Sequence, residues 1–181
     1  MRRAALSCLM LAALSAMAQA QTPPETAAGL PAEILPRLPT PQTGQAPTMR
    51  VTELDPHKRS FQIVFSKGDE AIQGLAEFAA RNNITLAHFT AFGALQSASI
   101  AWFNAETRAY KTIRVNEPME VTSFTGSIIR NAAGVPVVHA HGSVALYRNG
   151  MVHAGHIIDA RISVTMQVYL DDSVPLAKPA N

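Results

Sequence analysis

Cysteine is nearly missing from this chain: there is one in 181 residues, Cys8, and it falls in the first apolar run. Its position excludes a disulfide framework, a cysteine nucleophile and thiolate metal ligands from everything downstream. A charge excess of either sign is missing as well. The 15 basic and 13 acidic residues become 13 and 13 once Arg2 and Arg3 are set aside, and no basic run remains. A neutral chain has no electrostatic footprint for a phosphate backbone, so no nucleic-acid partner is expected. The motifs G-x-S-x-G, H-E-x-x-H and C-x-x-C, the P-loop and the Rossmann glycine pattern are all absent, and their chemistries have no support here.

What is present begins with an export signal. Arg2 and Arg3 precede an apolar stretch from Ala4 to Met17, and Ala18-Gln19-Ala20 has the small-x-small form of a cleavage site. The stretch is shorter than the roughly 20 residues that span a bilayer. Residues 1–20 are therefore expected to be a signal peptide cleaved after Ala20, placing the mature protein in a bacterial periplasm or outside the cell, without membrane attachment. Residues 21–48 follow, rich in Pro, Ala, Thr and Gln. That composition predicts a disordered tether, with Ile34-Leu35 and Leu38 as its pieces able to dock. One domain is expected over 49–172, with a loose tail at 173–181 that carries Pro175 and Pro179.

Within the domain, Phe61 to Phe65 reads as a strand. Asp69 is the expected N-cap of a helix whose apolar positions are Ile72, Leu75, Ala76 and Ala79, ended by Asn82-Asn83. Strands follow at Ile84–Phe92, Ser97–Phe103, Ala109–Val115, Met119–Ile129, Val135–Tyr147, Met151–Ile158 and Ile162–Leu170. Asn116-Glu117-Pro118, Asn131 to Gly134 and Asn149-Gly150 supply the turns. One helix among antiparallel strands makes the fold α+β.

Histidines carry the functional signal. His139 and His141 alternate on one strand and so share a face. If Asn149-Gly150 is a two-residue hairpin loop, Arg148 pairs with Met151, Leu146 with His153 and Ser143 with His156. His156 then shares the face of His139 and His141 as a diagonal neighbour of His141, while His153 lies on the other side. In a flat ladder His139 and His156 would be about 13 Å apart. A bulge at Gly142 or Gly155 would shorten the gap, or change the register and bring in His153 instead. Both histidines stay open as the third member. Three imidazoles around an ion with an open position suit a catalytic zinc, or another divalent metal; the competing reading is hydrogen-bonded histidines at a subunit interface.

The ordered motifs Phe124-x-Gly126, Pro136-x-x-His139-x-His141, Gly150, Gly155-His156 and Val164-x-x-Gln167-Val168 resemble the plants and prokaryotes conserved (PPC) domain. Gly68-Asp69-Glu70, Phe92-Gly93-Ala94-Leu95 and Met119-Glu120-Val121 agree with it, and the resemblance covers about residues 60–170. It implies a twisted, mostly antiparallel sheet with one or two helices, usually assembled as a homotrimer. H-x-H followed by Gly-His is also similar to acetolactate decarboxylase and a related group of zinc-dependent ester hydrolases. On that resemblance His139, His141 and His156 are metal ligands, and the activity implied is hydrolysis or decarboxylation of a small carbonyl or ester substrate. The sequence departs from the family pattern at Ala154, Gln167 and Val64, where glycine, an acidic residue and arginine are common. Plant members add a basic AT-hook; no Arg-Gly-Arg-Pro stretch exists here, so their DNA role does not carry over.

Glu120, which matches a family position, is the candidate catalytic residue, as a general base or as a carboxylate orienting a ligand histidine. A solvated strand-end carboxylate is its competing reading. Asp159 and Arg161 are either substrate contacts or a cross-strand ion pair. His88 is expected to be a hydrogen-bonded core histidine, and Trp102 and Phe103 to fill the core or a trimer contact. The alternative to an enzyme is a non-catalytic trimeric binding module with a structural metal or none.

Overall fold

Strict alternation builds the first core strand. In β3, Ser60–Ser66, the side chains of Phe61, Ile63 and Phe65 are buried and those between them are not. Helix α1, Ala71–Arg81, follows and buries Ile72, Leu75, Phe78 and Ala79 along one face. Its approach is close: a β-carbon at Gly74 would lie 2.4 Å from the Phe65 ring. The computed structural model describes residues 32–38, 43–55 and 58–173. The expected leader 1–20, much of the Pro-rich segment, His57 and the end of the tail lie outside the described residues.

The other strands are β1 Ala32–Leu35, β2 Arg50–Asp55, β4 Leu86–Asn104, β5 Ala109–Val115, β6 Met119–Arg130, β7 Pro136–Leu146 and β8 Val152–Asp172. They form one antiparallel eight-stranded sheet in the order β1-β5-β4-β6-β7-β8-β3-β2. A further pairing of β4 with β8 closes β4, β6, β7 and β8 into a ring. Phe89, Leu95, Phe124, Ile128, Val144 and Ile162 belong to its buried core. With one helix among the described residues, the protein is α+β, as the sequence pattern implies.

Two long strands replace four expected shorter ones. β4 runs without a break through Gly93, where the pairing with both neighbours shifts register and φ is +151°. Only glycine fits there, since a β-carbon would lie 2.4 Å from the Thr165 carbonyl oxygen. The glycine expected to end the strand instead bends it. β8 likewise continues through Asp159-Ala160-Arg161, held to β4 across further register shifts.

The helix starts one residue later than expected. Glu70 is the N-cap, its carboxylate accepting from the Ile72 and Gln73 amides and, across the core, from the Ala160 amide. The Asp69 carboxylate is engaged elsewhere: it accepts from the amides of Thr48 and Ser66 and from the Thr48 hydroxyl. This ties the start of the domain down beneath the helix. The helix ends at Asn82, with Asn83 at φ +56° in the left-handed conformation expected of that pair.

Two strands lay outside the expected pattern. Ala32–Leu35, in the segment read as a tether, pairs with β5 as an edge strand. β2 pairs with β3, and its residues are almost all exposed. Neither carries the alternation that marks a buried strand. His88 also differs from expectation. It is exposed on β4 and faces the Ser173 hydroxyl and the Asp171 carboxylate, because the face it shares with Thr90 and Phe92 is the outer one.

Candidate metal centre

The β7–β8 hairpin sets the geometry. Asn149-Gly150 does not form a two-residue loop. Leu146 pairs with Met151 by a 2.8 Å amide-to-carbonyl bond, so the loop is the four residues from Tyr147 to Gly150. Two local bonds and one distant bond hold this loop: the Gly150 amide donates to the Leu146 carbonyl, the Asn149 side chain accepts from the Met151 amide, and the Tyr147 amide is taken by the Pro118 carbonyl of another turn. The register therefore moves by two positions, placing His141 directly opposite His156, with His153 opposite Val144. A slip of two conserves the face, because side chains alternate with a period of two. The ladder shows no bulge here, and none is needed to bring the rings together.

His139, His141 and His156 offer ring nitrogens that all lie within 4.8 Å of one another. The Nε2 atoms of His139 and His141 are 3.2 Å apart. The three ring centroids are separated by 5.1, 4.9 and 5.3 Å. Nitrogens bound tetrahedrally at about 2.05 Å to one ion would be about 3.3 Å apart. The His139–His141 pair has about that spacing. His156 is half-buried and titrates at about 4, lowered first by burial and then by the two neighbouring imidazoles. It is thus neutral, with a free lone pair, at any pH near 7. The donor set suits zinc or another borderline divalent ion. Among the described residues no carboxylate or carbonyl oxygen bonds to any of the three rings.

The remaining candidates separate from this cluster. His153 is on the opposite face, its Nε2 buried without a hydrogen-bond partner. Glu120 pairs with Ala145, four positions along β7 from His141 and about 13 Å away. It is exposed and outside the group of three. Asp159 forms an ion pair at 3.3 Å, with Arg114 rather than Arg161, whose guanidinium donates to the Gly68 carbonyl. Gln167, where the family pattern is acidic, accepts from the Gln62 amide, and Val64 lies opposite it.

Beside the histidines is a cleft of about 540 Å³ whose other walls include Trp102, Phe103 and Tyr110. Trp102 and Phe103 are 37% and 55% exposed, so they do not fill the core of the chain. The Trp102 indole donates to the Ala154 carbonyl at 2.9 Å. Tyr110 pairs with Phe103 across the β4–β5 hairpin, its ring 6.2 Å from His156. Sequence reasoning missed Tyr110; pairing outward from the turn after Asn104 would have placed it beside Phe103.

Fold and cluster together define a class: an α+β domain built on an antiparallel sheet that carries three convergent imidazoles on its outer surface. Residues 54–173 match the model of the Plants and Prokaryotes Conserved (PCC) domain, and the chain belongs to that family. No relative among curated proteins matches it. Among solved structures it is similar to a plant- and prokaryote-conserved protein of Pyrococcus horikoshii, at 23% identity and a TM-score of 0.61, covering 74% of this chain and 90% of that one. It is also similar to a metal-containing protein of Archaeoglobus fulgidus, with 23% identity, a TM-score of 0.58 and coverage of 69% and 84%. A third is a candidate DNA-binding protein of Bacteroides thetaiotaomicron, with 20% identity, a TM-score of 0.63 and coverage of 68% and 83%. At these identities the likeness establishes the shared fold.

Proposed function

We propose that this is an exported metalloprotein that holds one divalent ion, zinc by the chemistry of its donors, through His139, His141 and His156. The observation that carries the reading is the convergence of three ring nitrogens within 4.8 Å beside an open cleft. When bound, such an ion supplies Lewis acidity, polarising a carbonyl or acidifying water. The chain's own contribution is to hold three imidazoles on two adjacent strands and to give a small ester or carbonyl substrate a partly enclosed, apolar cleft. Hydrolysis or decarboxylation is the activity this arrangement serves. The A-x-A signal supports a periplasmic location, and no helix among the described residues is long and apolar enough to cross a membrane. A homotrimer is proposed on family resemblance. With the leader removed the charges balance at 13 basic and 13 acidic, which argues against nucleic acid as the partner, despite the description of the Bacteroides relative.

A second reading, a binding module without turnover, is favoured by one observation: among the described residues, no acidic side chain that could serve as a general base lines the cleft. Metal analysis of the purified full chain tests the first claim. About one zinc per chain, lost in His141→Ala and retained in His153→Leu, is the expected result; wild-type protein that holds no divalent metal refutes it. A screen of small esters and 2-oxo acids then separates the enzyme from the module.

A further inference from the structure

The composition of the cleft points to a ligand class, and this inference rests on the metal reading above. Imidazole ligands add no charge to a bound dication, and among the described residues no Asp, Glu, Lys or Arg lines the cleft. The next carboxylate along β8, Asp159, is already paired with Arg114. A bound ion would therefore keep its full positive charge in a partly enclosed site, where an anion at the open position is the most favourable neutraliser. A hydroxide or a chloride would offset part of that charge and leave the adjoining wall of the cleft wet.

That wall is aromatic. Phe103 and Tyr110 have ring centroids 5.1 Å apart and an interplanar angle of 52°. Trp102, the one tryptophan of the chain, has its only polar group bonded to the Ala154 carbonyl, so what it adds to the cleft is apolar. Gly155 makes this placement possible, since a β-carbon there would lie 3.1 Å from the indole nitrogen. Phe103 is 55% exposed, and its ring gains from being covered by a flat apolar body.

We propose that the cleft is a binding site for small monocarboxylates with a planar apolar body, the carboxylate directed to the three-histidine centre and the body lying against Phe103 and Tyr110, with Trp102 at the rim. Benzoate is the simplest such probe. Acetate keeps the charge without the ring, and benzyl alcohol keeps the ring without the charge.

Binding is read in the zinc-loaded full chain through the emission of Trp102, with zinc content measured on the same sample. Benzoate is expected to bind at least about tenfold more tightly than acetate and than benzyl alcohol. Phe103→Ala should keep its zinc while bringing benzoate to within about threefold of acetate. Zinc-replete protein that binds benzoate no better than acetate, or no better than benzyl alcohol, overturns this inference and leaves the metal reading standing. Protein that holds no zinc overturns both. Phe103→Ala that changes the assembly state with benzoate affinity unaltered would show the wall to be a subunit contact, and overturns the inference too.

Discussion

Gly155 is the position at which fold and site are most tightly coupled, and replacing it with alanine is the sharpest test of the geometry. A β-carbon there would sit 2.8 Å from the Ala101 carbonyl oxygen, 3.0 Å from Ile100 Cγ2 and 3.1 Å from Trp102 Nε1. Relief to ordinary contact needs roughly half an ångström of movement. The carbonyl cannot simply retreat, because Ala101 lies in the β4–β8 ladder opposite His156. Overpacking of this kind costs about 1–3 kcal/mol, offset by roughly 0.4–1 kcal/mol because alanine narrows the unfolded ensemble. A net loss of about 1–2 kcal/mol corresponds to a Tm lower by roughly 3–10 °C for a domain of this size. The movement also shifts His156 relative to His141, and zinc affinity should fall about tenfold, as when the support of a ligand is disturbed. Thermal unfolding of the metal-free protein and a competitive zinc titration measure the two effects separately. Gly155→Ala with wild-type Tm and wild-type zinc affinity would refute the close approach of β8 to β4 on which the site is built.

The other predictions concern the supports of the fold. Glu70 has its carboxyl pKa raised, chiefly by burial, against three backbone amides that lower it. A raised folded pKa means the group's contribution to stability is fully present below about 4.5 and is lost as pH rises from there through the folded value. Glu70→Gln should abolish that part of the pH dependence, so wild-type and variant urea midpoints should change relative to each other only within that window; curves parallel at every pH would contradict it. Asp69→Ala leaves the Thr48 and Ser66 amides without their acceptor and should cost about 2–4 kcal/mol in denaturant unfolding. His153→Leu removes a buried, unpartnered nitrogen and should be neutral or stabilising by up to about 2 kcal/mol, with zinc content unchanged. Substantial destabilisation would mean that Nε2 has a partner in solution.

How much of this was legible in the sequence depends on which physical signal each element carries. β3, α1, β6 and β7 announce themselves through alternation or helical spacing, because one face of each is buried. β1 and β2 carry no such pattern, since an edge strand is specified by its backbone pairing and can expose both faces. Gly93 read as a stop because a glycine in a strand marks either an end or a bend, and only the neighbouring Thr165 backbone decides between them. The histidine cluster survived a wrong register for a definite reason. The loop proved two residues longer than Asn149-Gly150 alone implied, and an even shift keeps His156 on the face of His139 and His141. An odd shift would have turned His153 towards them instead. What decided the parity was the Tyr147 amide bonding to Pro118, a contact between two different turns that local hairpin rules do not contain. The aromatic wall was less legible for the same reason. Trp102 and Phe103 have the composition of a core, and only the pairing of β4 with both β5 and β8 puts them beside imidazoles from another hairpin. Local chemistry in this chain thus names the three clustered histidines, whereas the long-range ladder of β4 determines what stands next to them.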